Sequence, residues 1–255
     1  MLFEHRVEKI LNLLAEKKTV TIQEFVSALG TSESTIRRDL IALEEAGELR
    51  RIHGGAKIVN DIGKEQNMSQ KVSLNHEGKV AIAQYAASFI KPASQIYIDA
   101  GTATLELVKS LPLNQNIHVV TNGVDHGLLA IQRGLSVTIV GGEIRPNTHA
   151  IAGMTGYKQL EKMNFSQAFI GMNGIHEESG LTTTNIDEAL MKELAMKQSQ
   201  NIRILMDESK IGKVYEFKVE VPSQAIILMD KNAENHSTEI LEKITKTYDL
   251  KLVEK

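Results

Sequence analysis

The sequence predicts an α/β protein in which a small helical domain precedes a larger domain with a mostly parallel sheet. The chain has 255 residues, and a typical domain has roughly 150, so two domains are expected. Residues 1–57 show helical periodicity, whereas short apolar β-runs alternate with helical patterns beyond about residue 75. We therefore set domain boundaries at 1–58 and 76–255, with residues 59–75 as a polar linker.

Composition limits the possible functions. Hydrophobic residues make up 42% and charged residues 24%, as in soluble globular proteins, and no apolar run approaches the roughly 18 residues of a membrane span. The first residues lack a basic region followed by an apolar stretch, so we expect no secretory signal. Cysteine is absent, which excludes disulfides and thiol chemistry and is consistent with a cytoplasmic location. The net charge of −3 confines any nucleic-acid site to a local patch.

The first domain is predicted to begin with two helices. Apolar residues recur at helical spacing from Val7 to Leu14. Thr21 and Glu24 have the spacing of a capping box, which opens a second short helix. Gly30 suits the left-handed end of that helix.

A third helix and a β-hairpin complete this domain. The helix, residues 32–44, turns a narrow apolar stripe inward and leaves Ser34 and Arg38 on the opposite face, with Arg37 on the flank. Residues 49–57 alternate like strands around two consecutive glycines, which is typical of a hairpin wing.

Two short helices joined by a glycine-containing turn form a helix-turn-helix, whose second helix enters the DNA major groove. Hydroxyl groups approach phosphates closely, and arginine binds phosphate or a guanine edge. The candidate DNA-binding residues are Ser32, Ser34, Thr35, Arg37, Arg38, Arg50, Arg51, His53 and Lys57. A plain three-helix unit remains the alternative, since residues 1–57 contain nine basic and nine acidic residues.

The larger domain is predicted as a covered sheet of strands that alternate with helices. The predicted strands are 95–99, 117–121, 136–140, 165–170, 201–206 and 224–229. The predicted helices include 77–90, 102–111, 124–133, 187–199 and 238–243.

Glycine and polar residues gather where these strands end, the edge at which parallel sheets bind ligands. A Gly-Thr-Ala-Thr turn at a helix start offers N–H groups, hydroxyls and a positive dipole end to an anion, and Lys210 can add a full charge. Each residue alone is more often a turn, a cap or a surface lysine, but their shared location favours a phosphorylated small molecule. The candidate site residues are Asp99, Gly101, Thr102, Ala103, Thr104, Thr121, Asn122, Gly141, Gly142, Gly171, Glu188, Asp207 and Lys210.

Specific motifs resemble one known family. The block Thr35–Leu40 and the wing residues His53–Ala56 closely resemble the winged helix-turn-helix of the DeoR family of bacterial transcription regulators, over residues 5–57. Residues 76–230 resemble the C-terminal sensor domain of that family, which shares its fold with ribose-5-phosphate isomerases. Ala103 departs from the family, which usually has a second threonine there, and this removes one hydroxyl from the expected anion site.

The resemblance implies a repressor of a sugar-utilisation operon, released from double-stranded operator DNA by a phosphorylated sugar bound in the effector-sensing and oligomerisation domain; an activator is the alternative. One small winged unit covers few base pairs, so useful specificity requires a homo-oligomer, either a dimer or a tetramer.

A sugar-phosphate isomerase with a DNA-binding appendage is the main alternative. An isomerase needs a carboxylate base, and residues 169–175, where the isomerases carry acids, contain none. Glu188 and Lys192 are possible site members or a plain helix-surface pair. We therefore expect no enzyme activity, no cofactor and no metal, since the eight histidines lack metal-ligand spacing. A structural DNA-binding protein is a third possibility.

Overall fold

A computed structural model describes residues 3–17, 19–45, 49–58, 68–113 and 115–254. Its contacts divide the chain into two compact units, Met1–Asp61 and Ile62–Lys255. Residues 59–67 of the predicted linker lie outside the described residues, and part of its remainder is helical. Among the helices that the structure describes, none has the length and apolar character needed to cross a lipid bilayer.

The first unit is a helical domain with a small antiparallel sheet. Its elements are α1 (Phe3–Lys17), β1 (Thr19–Thr21), α2 (Ile22–Leu29), α3 (Glu33–Glu45), β2 (Leu49–Ile52) and β3 (Gly55–Ile58). The strand order is β1-β3-β2, so the predicted hairpin gains a third strand that is too short to show a period in the sequence. The turn of the hairpin falls on His53 and Gly54, one residue earlier than predicted, and Gly54 has a φ of 86°.

The caps and core of this unit follow from the sequence. The Thr21–Glu24 capping box and the left-handed Gly30, with a φ of 61°, confirm the predicted limits of α2. The helices and sheet enclose one apolar core, whose fully buried side chains include Ile10, Leu14, Val20, Phe25 and Ile36. This core fixes α3 and leaves its opposite face in solvent.

The second unit is an α/β domain. Its helices are α4 (Met68–Ser73), α5 (His76–Ala87), α6 (Thr102–Ser110), α7 (Val124–Gln132), α8 (Met154–Leu160), α9 (Ile186–Lys197) and α10 (Thr238–Thr247). Its strands are β4 (Gln95–Ile98), β5 (His118–Thr121), β6 (Ser136–Ile139), β7 (Glu143–Ile144), β8 (Ile151–Ala152), β9 (Phe165–Gly171), β10 (Gly174–His176), β11 (Gly180–Thr183), β12 (Ser199–Leu205), β13 (Phe217–Lys218), β14 (Ile226–Asp230) and β15 (Asp249–Val253).

Seven of these strands form one parallel sheet in the order β15-β14-β12-β9-β4-β5-β6. Alternate residues of β4 point to opposite faces, so Ile96 and Ile98 belong to one apolar core and Tyr97 to the other. The six predicted strands and five predicted helices are all present, with ends shifted by a few residues. This sheet, covered on both faces, confirms the predicted α/β class.

Candidate functional site

Helix α3 begins in a cluster of hydroxyl groups. The backbone N–H of Thr35 donates to Ser32 Oγ at 3.3 Å, and the Ser32 hydroxyl lies 2.8 Å from Thr35 Oγ1 and 3.0 Å from Ser34 Oγ. Ser32 therefore caps the helix, as its residue type predicts. Three of the predicted DNA-binding residues thus lie together at the helix N-terminus, the end that favours phosphate.

The two arginines of α3 differ in their partners. Both are exposed, but Arg37 Nη2 is bound to Glu33 Oε1 at 2.6 Å. The side chain of Arg38 makes no ion pair or hydrogen bond within the described part of the chain. The Arg38 guanidinium is therefore available to a ligand, whereas that of Arg37 is held by Glu33.

The remaining predicted DNA-binding residues lie on the wing, and all are exposed. Arg50 and Lys57 are directly opposite each other in the β2–β3 register. Arg51 Nε binds Glu44 Oε2 at 2.6 Å, and this hydrogen bond lowers the pKa of Glu44. That contact ties the wing to the end of α3.

A cavity that opens to solvent lies at the carboxyl ends of β4, β9 and β12. These three strands are neighbours in the sheet, so the segments that follow them converge. Seven of the predicted site residues line the cavity: Gly101, Thr102, Ala103, Gly171, Glu188, Asp207 and Lys210. Lys192, for which the sequence allows either a site member or a helix-surface residue, also lines the cavity. Lys71, Thr148 and Asn173, which the sequence does not predict, line it as well.

The other predicted residues are Asp99, Thr104, Thr121, Asn122, Gly141 and Gly142, which do not line this cavity. Asn122 instead supports the wall, because its Oδ1 accepts from the N–H of Ala100 at 2.8 Å. The buried hydroxyl of Thr104 donates to the carbonyl of Asp99 at 2.6 Å, and that of Thr121 accepts from a backbone N–H at 3.0 Å. Asn122 and Thr104 therefore stabilise the loop after β4, whereas Thr121 stabilises the loop after β5.

Gly141 and Gly142 follow β6, the edge strand, which β5 separates from β4. The N–H of Gly141 donates to Gln159 Oε1 at 2.7 Å. Gly142 has a φ of 148°, and a Cβ there would lie 2.6 Å from the carbonyl oxygen of Ala152. Close packing against Ala152 therefore accounts for the glycine at position 142.

Asp99 lies just beneath the cavity wall. Its Oδ2 accepts from the N–H of Gly171 at 3.0 Å and forms a buried ion pair with Lys192. The second oxygen, Oδ1, is buried without a hydrogen-bond partner in the described ranges. Asp99 therefore positions the ammonium group of Lys192 at the cavity.

The cavity is suited to an anion. The N-terminus of α6 has no side-chain cap, so the N–H groups of its first turn remain available. Lys210 is 8% exposed, and burial lowers its pKa to about 8, with Asp207 opposing that shift. Its ammonium group is therefore still largely protonated at neutral pH, beside a helix end that also favours negative charge.

His126 was not among the predicted site residues, yet it supports the same loop. Its Nε2 lies 3.1 Å from the carbonyl oxygen of Gly101 and 3.1 Å from Thr104 Oγ1. Because a carbonyl oxygen only accepts, Nε2 must carry the proton to donate to Gly101. Burial lowers its pKa to about 4, so the ring is neutral. A solitary histidine carries no sequence signal for such a role. Among the described residues, no cluster of three metal-ligating side chains is present.

Comparison with known proteins agrees with this arrangement. Residues 6–61 match the DeoR-like helix-turn-helix domain, and residues 74–231 match the DeoR C-terminal sensor domain. The uncharacterized helix-turn-helix transcriptional regulator FruR of Bacillus subtilis is 41% identical over 214 residues, which are 84% of this chain and 85% of that protein.

The lactose phosphotransferase system repressor of Staphylococcus aureus is 32% identical over 212 residues, covering 82% of this chain and 84% of that one. Among solved structures, ribose 5-phosphate isomerase A from Methanocaldococcus jannaschii aligns with 55% of this chain and 56% of its own at 16% identity, with a TM-score of 0.41.

A winged helix-turn-helix in one chain with a sensor domain defines a DNA-binding transcription regulator. More particularly, the chain belongs to the DeoR family.

Proposed function

We propose that this protein represses sugar-utilisation genes and is released from its operator when a phosphorylated sugar binds the cavity of the α/β domain. Residues 1–58 would hold the operator, and residues 76–255 would bind the effector and join the subunits. Relatives named as transcription regulators and as a sugar-transport repressor support this assignment. Because its target is operator DNA, we infer that it acts in the cytoplasm.

One observation carries the effector assignment. The uncapped N-terminus of α6 and the ammonium of Lys210 line the same cavity. A phosphate group would accept from the N–H groups and pair with the ammonium, while Glu188 and Asp207 offer acceptors for sugar hydroxyls. A neutral sugar gains only the second kind of contact, so the site favours the phosphorylated form.

A thermal-shift screen tests the effector. Pentose and hexose monophosphates are compared with the same sugars without phosphate. We expect a stabilisation of the α/β domain by at least one phosphorylated sugar and by none of the neutral ones. A protein that no phosphorylated sugar stabilises would contradict the proposal.

The DNA assignment depends on α3 and the wing. A single small unit makes few base contacts, so we propose that at least two copies bind repeated or inverted half-sites. Gel-shift titration of operator DNA, with and without the stabilising sugar phosphate, is expected to show release on ligand addition. A coupling free energy of about 1–3 kcal/mol would weaken operator binding about 5- to 150-fold.

One observation favours catalysis as a second candidate, namely that Glu188 and Asp207 present carboxylates to the cavity. An isomerase would use one of them to move a proton between adjacent carbons. Incubation with each stabilising sugar phosphate, followed by NMR, distinguishes the two functions. We expect no turnover, because residues 169–175 contain no carboxylate and Asp207 already pairs with the buried Lys79 at 3.2 Å.

A further inference from the structure

Helix α4 lies at the point where the chain enters the α/β domain, and it takes part in the cavity. It follows residues 59–67, the stretch that joins the two units in sequence. Its Lys71 lines the cavity together with Lys210, and α4 packs against α6, whose N-terminus forms another part of the wall. A segment that the sequence assigns to a linker thus contributes a cation to the candidate effector site.

The turn after α4 is also connected, through Lys79, to a residue that lines the cavity. The ammonium of Lys79, which is 2% exposed, bonds the carbonyl of Leu74 and lies 3.2 Å from Asp207 Oδ2. Asp207 itself lines the cavity. The position of Leu74 therefore depends on a carboxylate that the effector would face.

A third contact runs from Asn75 to the same wall. Its Nδ2 donates to Asp230 Oδ2 at 3.2 Å, and that oxygen also accepts from the N–H of Glu208 at 2.9 Å. Glu208 opens the short 3-10 helix that ends at Lys210. Three separate connections thus link residues 71–75 to groups in or beside the cavity.

We propose that Lys71 is a further ligand of the effector's phosphate and that the effector thereby fixes the segment 68–75 against the cavity. The inference rests on the proposed function of this cavity. The positive charges of Lys71 and Lys210, which both line this cavity, repel each other, and this repulsion adds to the effect of burial in lowering the pKa of Lys210. A phosphate dianion between them reverses that repulsion and adds charge-assisted hydrogen bonds, so ligand binding and the packing of α4 become coupled.

The test uses the full chain, with ribose 5-phosphate and inorganic phosphate as probes. Affinity is measured by calorimetry, and the order of residues 68–75 by hydrogen exchange with and without the probe. In the unsubstituted protein we expect the probe to slow exchange in this segment. In Lys71→Gln we expect about tenfold weaker binding and no slowing.

Two variants control the comparison. Lys71→Arg keeps the charge and is expected to retain most of the affinity and the slowed exchange. Lys91→Gln removes an exposed lysine that does not line the cavity and is expected to behave like the unsubstituted protein.

The outcomes separate this inference from the proposed function. Probe binding that depends on Lys210 but is unchanged by Lys71→Gln, with exchange still slowed, would overturn the role of Lys71 alone. Absence of binding by the unsubstituted protein to either probe, and to every other sugar phosphate tried, would overturn both.

Discussion

Arg6 of α1 and Asp39 of α3 form a two-point ion pair, with 2.7 Å between Nε and Oδ2 and 3.1 Å between Nη2 and Oδ1. The Asp39 side chain is only 3% exposed, and the hydrogen bond to it raises the pKa of Arg6. Asp39 lies in the same motif as Arg37 and Arg38, yet it points inward. Its role is to hold α3 against α1, which sets the direction in which the two arginines face.

Replacing Asp39 by Ala is expected to lower the free energy of unfolding of the DNA-binding unit by more than Glu33→Ala does, because it leaves the Arg6 guanidinium, whose side chain is 14% exposed, without its counter-charge. Urea denaturation of the full chain measures the effect as an earlier first transition. Glu33→Ala is the matched control on the same helix, since its ion pair with Arg37 is exposed and is worth less than about 1 kcal/mol. Equal losses in both variants would contradict the assigned role of Asp39.

Replacing Arg38 by Ala is expected to weaken operator binding about 10- to 100-fold without changing the melting temperature, since its exposed side chain has no partner in the described part of the chain. Gel-shift titration over a range of salt concentrations measures this. Arg38→Lys distinguishes a contact to phosphate from a contact to guanine, because lysine can replace arginine at a phosphate but cannot form the two-point contact to a guanine edge. Lys9→Ala, another exposed cation in this unit, serves as the control. Unchanged affinity in Arg38→Ala would remove α3 from the interface.

Effector affinity is expected to fall as pH rises through the pKa of Lys210, which burial lowers to about 8. The phosphate of a sugar phosphate is already a dianion above pH 7, so the loss comes from the ammonium. Between pH 7 and pH 9 the dissociation constant should rise about tenfold, as calorimetry would show.

Lys210→Gln provides the control for this pH dependence. It should bind the effector weakly at every pH and remove the slope, while operator affinity stays unchanged. An identical pH dependence in the variant would mean that another group titrates.

Acid is expected to destabilise the α/β domain through His126. Burial lowers the pKa of His126 to about 4 in the folded protein, so the unfolded chain binds the proton first, near its ordinary pKa of 6.5. The stability from this group is therefore complete above pH 6.5 and declines as pH falls toward 4. Between pH 7 and pH 5 the loss is about 2 kcal/mol.

Urea unfolding at the two pH values measures that loss. In His126→Gln it should largely disappear, because the amide can still donate to the Gly101 carbonyl but does not titrate. His53→Gln, which changes an exposed histidine of the wing, should leave the loss intact. If His126→Gln shows the same decline, another group is responsible.

Local sequence patterns predict most helices and strands of this chain, because helix caps and runs of apolar residues depend on neighbouring residues alone. The spacing of Thr21 and Glu24 and the position of Gly30 fix α2, and short apolar runs reveal six of the seven strands of the large sheet. The shortest elements escape this reasoning. The three residues of β1 show no period and become a strand only by pairing with β3.

The candidate cavity shows the limit of such reasoning. Chain order brings Gly101, Gly171 and Lys210 to strand ends, but strand neighbours are set by crossovers that the sequence does not display. The glycine pair after β6 has the same local pattern, yet β6 is an edge strand. Lys71 could not be predicted as a site residue, because the polar stretch around it shows no helical period and resembles a linker. Only the packing of α4 against α6 places this segment at the cavity.

The wall of this cavity includes Thr148 and Asn173, which lie in loops and belong to neither apolar core of the α/β domain. Substitutions at these two positions can change the surface of the cavity without removing a core side chain. The surface that a ligand would contact can consequently differ between related chains that keep both apolar cores of the α/β domain.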